Sequence, residues 1–361
     1  MKEIKVKNTL DLGVLFTNND YDVVGMDGGY SIPLNNNTLW FFGDTLIGER
    51  TKGESLWYPG GQRIGLGNMA GTGKIRKMLT NSALLVPGNK ELACWANYGF
   101  VTDDSNKLRQ LIRYLPKEDK DEYRIWCLHG IQLEKGIYLY YQKVQMLGEG
   151  DLLPVNFRIV GSGLAFSENL NENFNRITFE SQTILWNESQ PQFASSVLNN
   201  TETDGYIYCY GVLQNKQAVQ QCYIARVKPD IIDQKSKYEY LVGKDNIWDS
   251  KIENAIKIFE GMPNELSVSY NNYLNAYLSV HSLDLTGKIV ARTAPYPWGP
   301  WSDYTELYRV KAERKIKLPY PVLIYAGKEH PELAEKDGQI LHITYVEFEE
   351  YYPHLVRIEL N

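Results

Sequence analysis

Two aspartates flank one short antiparallel unit near the start of the chain. Asp27-Gly28-Gly29 leads into Tyr30-Ser31-Ile32-Pro33-Leu34, and after Asn35-Asn36-Asn37 the chain returns through Thr38-Leu39-Trp40-Phe41-Phe42 to Gly43-Asp44-Thr45. An Asn-rich turn between two apolar runs predicts a hairpin. Antiparallel pairing brings the start of one strand beside the end of the other, so Asp27 and Asp44 share one end of it. Two acids held at a rigid sheet edge suit general acid and base work. The alternative is that both merely cap turns.

The same layout recurs with little identity of sequence. His129–Leu133 turns at Glu134-Lys135-Gly136 into Ile137–Lys143, and Phe193–Leu198 turns through Asn199 to Gly205 into Tyr206–Gly211. Glu265–Tyr270 returns as Asn275–His281, and Pro321–Tyr325 returns, after a longer loop, as Gln339–Tyr345. Further strand-like runs follow: Ser82–Val86, Arg158–Val160, Gln221–Val227, Lys288–Arg292 and Leu355–Leu360. Small antiparallel sheets repeated every few tens of residues predict a propeller. The expected fold is all-β, a five-bladed β-propeller of mostly four-stranded antiparallel blades, forming one domain over 1–361. The N-terminal residues are expected to add an outer strand beside Leu355–Leu360. Convincing amphipathic helices are absent, apart from one short candidate over 249–259.

In such a ring, strand starts and returning strand ends open on one face. That face should collect Asp27, Asp44, His129, Lys143, Ser195, Tyr210, Glu265, His281 and Tyr345. Glycoside cleavage uses two carboxyl groups, one to protonate the leaving oxygen and one to activate water or attack. Asp27 and Glu265 come from different blades and would face each other, with Asp44 raising the proton affinity of a close neighbour. Asp103 and Asp104 are the substitutes for Glu265. His129 and His281 would bind sugar hydroxyls or simply hold structure. Arg292 would contact a ring oxygen or an acidic sugar, or pair with a strand neighbour. Trp298 is a sugar platform or packing, and Trp301 is packing. Trp40, Ser195, Tyr210 and Tyr345 complete the expected substrate-binding set.

Composition narrows the partners. The net charge is −6 with signs interspersed, which argues against nucleic acid. No run is long enough to span a membrane, and Met1–Lys7 lacks the apolar core of a secretory signal. The chain as it stands is expected in the cytoplasm, or outside the cell if a leader has been removed. It is expected to act as a monomer on a carbohydrate, without cofactor or catalytic metal. Cys94, Cys127, Cys209 and Cys222 match no zinc spacing and are expected to be reduced core residues. Gly67–Ile75 imitates a phosphate loop but lacks its spacing and its Ser or Thr.

The stretch Gly29-Tyr30-Ser31 to Leu39-Trp40-Phe41-Phe42-Gly43-Asp44-Thr45 resembles the N-terminal signature of the domain-of-unknown-function family DUF4185. Asn81-Ser82-Ala83, Tyr138–Tyr141, Gly299-Pro300-Trp301-Ser302, His330-Pro331-Glu332-Leu333 and Ile343–Val346 fit the same family in order. Its members are similar to five-bladed propeller glycosidases, some of them acting on D-arabinan. The resemblance implies a glycoside hydrolase fold, with an arabinan-like glycan as the best single substrate. By analogy with five-bladed arabinanases and xylosidases, it implies Asp27 as base or nucleophile, Asp44 as helper and Glu265 as acid. The competing readings are a non-catalytic glycan-binding propeller and a protein-interaction propeller.

Overall fold

The computed structural model describes residues 2–51, 53–58, 74–88, 97–148, 155–262, 264–312, 318 and 320–361. Cys94 and most of the Gly67–Ile75 loop lie outside them. Among the described residues the regular structure is antiparallel strand and short 3₁₀ turns. The 249–259 segment contributes only the 3₁₀ turn Ile252–Asn254.

The first sheet runs Tyr30–Leu34, Asn37–Phe42, Ser82–Pro87, Gly99–Phe100. Leu34 pairs with Asn37, so the hairpin loop is just Asn35-Asn36, with Asn35 in the left-handed region (φ 53°) that a tight hairpin needs. The second sheet begins Tyr123–Leu133, Gly136–Met146, Phe157–Ser167. The third begins Gln192–Asn200, Tyr206–Gln214, Gln220–Val227, and the fourth Leu266–Asn271, Ala276–Leu283, Lys288–Ala294. In the fifth, Ile324–Glu329, Ile340–Glu347 and Pro353–Leu360 are joined by N-terminal Val6–Val14, which pairs with Pro353–Leu360 as the sequence predicts. A sixth, small sheet was not foreseen: Val23–Met26, Thr45–Gly48 and Ile75–Leu79.

Side-chain alternation explains why the second strands are apolar on both faces. Leu39 and Phe41 join Ile125, Cys127 and Leu139 in a core between the first and second sheets. Trp40 and Phe42 point the other way, to Leu333, Tyr352 and Leu355 of the fifth-sheet segment. Likewise Ile207 and Cys209 pack towards the second sheet, while Tyr208 and Tyr210 pack towards the fourth. Leu278 and Val280 meet Leu341, Ile343 and Val356. A strand buried on both faces loses the polar alternation of a half-exposed one.

The first strands are stitched to one another by side-chain hydrogen bonds. His129 Nε2 donates to Ser31 O (3.4 Å), and Val197 N donates to His129 Nδ1 (2.7 Å). Val268 N donates to Ser196 Oγ (3.0 Å), Glu329 N donates to Ser267 Oγ (2.7 Å), and His330 Nδ1 lies 2.5 Å from Ser31 Oγ. These five contacts run from the first strand through the others and back to it. The fold is a β-propeller-like arrangement whose inner strands surround an axis.

Candidate active site

Asp27 sits between Val23–Met26 of the small sheet and Tyr30–Leu34 of the first sheet; Asp44 sits between Asn37–Phe42 and Thr45–Gly48. Both strands of one ladder thus change sheets at the same place. Met26 pairs with Thr45 on one side of the gap and Tyr30 with Phe41 on the other. Gly43 N donates to Asp27 O (3.0 Å), which ties the two crossings together. Gly28 and Gly29 take positive φ (80° and 64°) to make the bend. At Gly43 a Cβ would lie 2.7 Å from Asp27 Oδ1, so only glycine leaves the carboxylate its place.

These aspartates open on a cleft of about 680 Å³. Its walls include Trp57, Trp126, Phe157, Leu323, Tyr325, Phe348 and Tyr351, and Glu265 reaches it from the start of the fourth sheet. Tyr325 donates its hydroxyl to Asp27 Oδ2 (3.0 Å), and the Tyr351 hydroxyl bonds the same carboxyl. Burial, then the charges of Asp44 and Glu265, push Asp27 up to about 8, against the pull of the two tyrosines. Burial raises Asp44 to about 6, held back by the Arg124 guanidinium and the Trp126 indole. Glu265 is raised by burial and restrained by the ammonium of Lys328. Asp27 and Glu265 both keep part of their surface open to the cleft.

Lys328, near the end of the fifth sheet's first strand, was missed by sequence reasoning. It is 1% exposed, donates to Gly28 O (2.5 Å) and Ala326 O (2.7 Å), and lies 4.6 Å from the centre of the Tyr30 ring. Burial lowers it to about 8, with Glu265 and then Asp27 holding its proton on. The strand was expected to end at Tyr325, but it continues to Glu329 across a bulge where Ala326 takes φ 57°.

Polar atoms without partners among the described residues also gather in this cleft. Among them are the Tyr30 hydroxyl, Gln142 Nε2, Gln192 Oε1, Gln220 Oε1 and Asn264 Oδ1. Buried polar atoms are ordinarily paired, so such a group suits a hydroxyl-rich ligand.

The structure brings Asp27, Asp44 and Glu265 together and places the other expected site residues elsewhere. The strands are longer than the sequence suggests, so the mouth lies two or more residues beyond the positions chosen. The second sheet's first strand begins at Tyr123, and Trp126–Leu128 line the cleft instead of His129. His129 is half-buried on the axis and lines a different cleft, and loss of solvation holds it down to about 4. Lys143 pairs with Glu118 (2.7 Å). Val212–Gln214 line the cleft where Tyr210 was expected; Tyr210 is buried and donates to Pro297 O (2.8 Å). Ser195 is buried, its hydroxyl donating to Gln192 O (3.4 Å).

His281 is buried, stacked on Phe259, with Nδ1 2.7 Å from Ser282 O, and is held down to about 4. Leu285, further along the same segment, lines the cleft. Phe348 does so where Tyr345 was expected, and Tyr345 stacks on His354 (4.8 Å). Trp40 is fully buried against His330 (4.2 Å between ring centres). Arg292 donates to the backbone carbonyls Ser302 O (3.0 Å) and Glu260 O (3.1 Å), a structural role and not the sugar contact. Trp298 lines a different cleft, and Trp301 packs on Phe259 and Tyr210. Asp103 is an exposed turn acid whose Oδ1 accepts from the backbone N–H groups of Ser105 and Lys107, which lowers its pKa. Cys127, Cys209 and Cys222 are buried free thiols. Among the described residues no cluster of three or more His, Cys, Asp and Glu side chains could hold a metal ion, and no helix is long and apolar enough to cross a membrane.

The fold has solved counterparts. A protein of Bacteroides ovatus ATCC 8483, described provisionally as a hydrolase, superposes with a TM-score of 0.62 at 18% identity, over 92% of this chain and 85% of that one. A GH43_1 enzyme of Xanthomonas citri, solved with xylotriose, superposes with a TM-score of 0.50 at 12% identity, over 97% of this chain and 90% of that one. The likeness places the chain among glycoside-hydrolase-like propeller folds. No curated protein matches the sequence. The signature around Asp27 and Asp44 instead leads to a family defined by sequence alone: a model of the domain of unknown function DUF4185 matches residues 13–357, and the chain belongs to that family.

Proposed function

We propose that the chain is a five-bladed β-propeller, one domain over 1–361, that hydrolyses a neutral oligo- or polysaccharide, with an arabinan-like glycan as first substrate. The blade count is supported by the five contacts that link the first strands in a cycle. The observation that carries the activity is the convergence of Asp27, Asp44 and Glu265 in one aromatic-walled cleft. Glycosidic cleavage needs one carboxyl holding a proton and one ionised partner. Proton affinity distinguishes the three groups here. Asp27, at about 8, holds its proton at neutral pH and serves as acid, the reverse of the role that its position alone suggests. Burial raises Glu265 as well, but the Lys328 ammonium opposes that rise and Asp27 has no such cation among its main influences, so in this reading Glu265 is the partner that ionises and serves as base or nucleophile. Asp44 keeps a negative charge beside Asp27 and maintains its proton affinity.

The walls suit the substrate. Aromatic faces pack on the apolar C–H face of a sugar ring, and the unpaired amide atoms Gln142 Nε2, Gln192 Oε1, Gln220 Oε1 and Asn264 Oδ1 meet its hydroxyls. The test is hydrolysis of arabinan, xylan and mannan oligosaccharides by wild type and by Asp27→Asn, Asp44→Asn and Glu265→Gln, with Asp103→Asn as control. Loss of about 10²–10⁴ in kcat in Asp27→Asn and Glu265→Gln, with Asp103→Asn unchanged, is expected. Wild-type kcat in Asp27→Asn refutes its assignment. Oligosaccharide binding without cleavage by the wild type would favour the non-catalytic reading.

A further inference from the structure

The inner strands open at their other ends on a second cleft, of about 1270 Å³, which shares no lining residue with the first. The first is lined from the strand starts, at Asp27, Trp126, Gln192, Glu265 and Tyr325. The second is lined from the strand ends, at Pro33, Gln132, Asn199 and Tyr270. The two therefore lie on opposite faces.

Two large rings stand in the second cleft without cover: Tyr296 is 53% exposed and Tyr270 45%. Neither is loosely held. Tyr296 lies parallel on Trp298 (5.1 Å, 4° between planes), which in turn is braced by Tyr208 and Trp248. The Tyr210 hydroxyl pins the intervening Pro297 carbonyl (2.8 Å). The Tyr270 hydroxyl donates to Asn275 Oδ1 (2.7 Å), and its ring meets Tyr277 edge-on. Flat rings fixed in an exposed position bind without an ordering cost. Asn200, 6% exposed, lines the same cleft; its Oδ1 accepts from Tyr277, while its amide nitrogen has no acceptor among the described residues.

Charge selects among ligands. The cleft carries Glu202, Asp204 and Glu332 and, among its described lining residues, neither lysine nor arginine. Phosphates, uronates and nucleic acid are repelled, whereas neutral hydroxyls find acceptors. We propose that this second cleft is a non-catalytic site for a neutral glycan chain, held by Tyr296 and Tyr270 on the face opposite the candidate active site. Such a site would keep a polymer attached while the first cleft engages another stretch, raising the local concentration of chain. The proposal does not require that the first cleft cleave anything.

The test uses the full chain carrying Asp27→Asn, so that polymers survive, in native affinity gels cast with arabinan, xylan, mannan or polygalacturonate. Retardation by at least one neutral polymer and none by polygalacturonate is expected. Adding Tyr296→Ala or Tyr270→Ala, both at exposed positions, should raise the apparent dissociation constant at least about fivefold. Retardation that persists unchanged in both tyrosine variants places the polymer elsewhere and overturns the proposal. So does the absence of retardation in every neutral gel, or equal retardation by polygalacturonate. Tyrosine-dependent retardation by a chain that hydrolyses nothing in its wild-type form would support this site while removing the hydrolase reading.

Discussion

Asp27→Asn should stabilise the protein, and by an amount that depends on pH. The Asp27 carboxyl is raised from 3.8 to about 8 in the folded chain, so between those values the folded state binds a proton that the unfolded state has released. Stability therefore falls as pH rises through this window, and the penalty is complete above about 8. Below about 4 both states are protonated and asparagine, its neutral isostere, should change little. At pH 7 the window already spans roughly three units, a ceiling of about 4 kcal/mol at about 1.4 kcal/mol per unit. Asp27 keeps part of its surface in the cleft, where solvent weakens the shift, which brings the expected gain to ~2 kcal/mol. With an unfolding entropy of about 2 cal/mol/K per residue over 361 residues, that corresponds to a rise of about 3 °C in Tm. Denaturant melts of both proteins at pH 4, 5.5, 7 and 8.5 would measure it. A difference that stays constant over this range, or a variant less stable than wild type at pH 7, would refute the proposed burial of proton affinity at Asp27. The same substitution should lower kcat by about 10²–10⁴, so stability and activity should move in opposite directions.

Two further outcomes follow from the same geometry. Gly43→Ala places a methyl group 2.7 Å from Asp27 Oδ1; displacing the carboxyl by about 1 Å should cut kcat by about 10²-fold while circular dichroism stays that of the wild type. Lys328→Met removes the cation that favours an ionised Glu265, so the acidic limb of the kcat–pH profile should move to higher pH, by an amount read directly from the profile; an unmoved limb would show that Lys328 acts only through its bonds to Gly28 and Ala326.

The strands were legible where pairing and burial leave periodic traces. Asn35-Asn36 announced the first hairpin, and the runs of aromatic and β-branched residues in Asn37–Phe42, Tyr206–Gln214 and Ile340–Glu347 announced second strands. The small sheet was not legible, because the expected hairpin stopped at Asp27 and Thr45 and left Val23–Met26 and the rest of Thr45–Gly48 unassigned. That change is what holds Asp27 and Asp44 beside each other. Carboxylates were recognisable because their chemistry does not depend on which face of a strand they occupy, provided that they lie near its end. The expected sugar-binding residues depended on register as well, and an error of two residues in where a strand ends moves the selected position from the mouth into the packed interior. His129, Tyr210, His281 and Tyr345 were displaced in this way.

Lys328 failed for the complementary reason. A lysine past the apparent end of a strand reads as solvated surface, since burying an unpaired ammonium is costly. The bulge at Ala326 turns the strand so that Lys328 enters the interior, where Gly28 O and Ala326 O accept its protons and Glu265 and Asp27 supply negative charge. Three of these four partners, Gly28, Glu265 and Asp27, are distant in sequence. The ammonium is retained at a depth where a neutral side chain would cost less, and under the proposed function its role there is to oppose the rise that burial imposes on Glu265. A glycosidic acid and its partner must differ in proton affinity, so the Lys328→Met profile tests whether this ammonium supplies that difference.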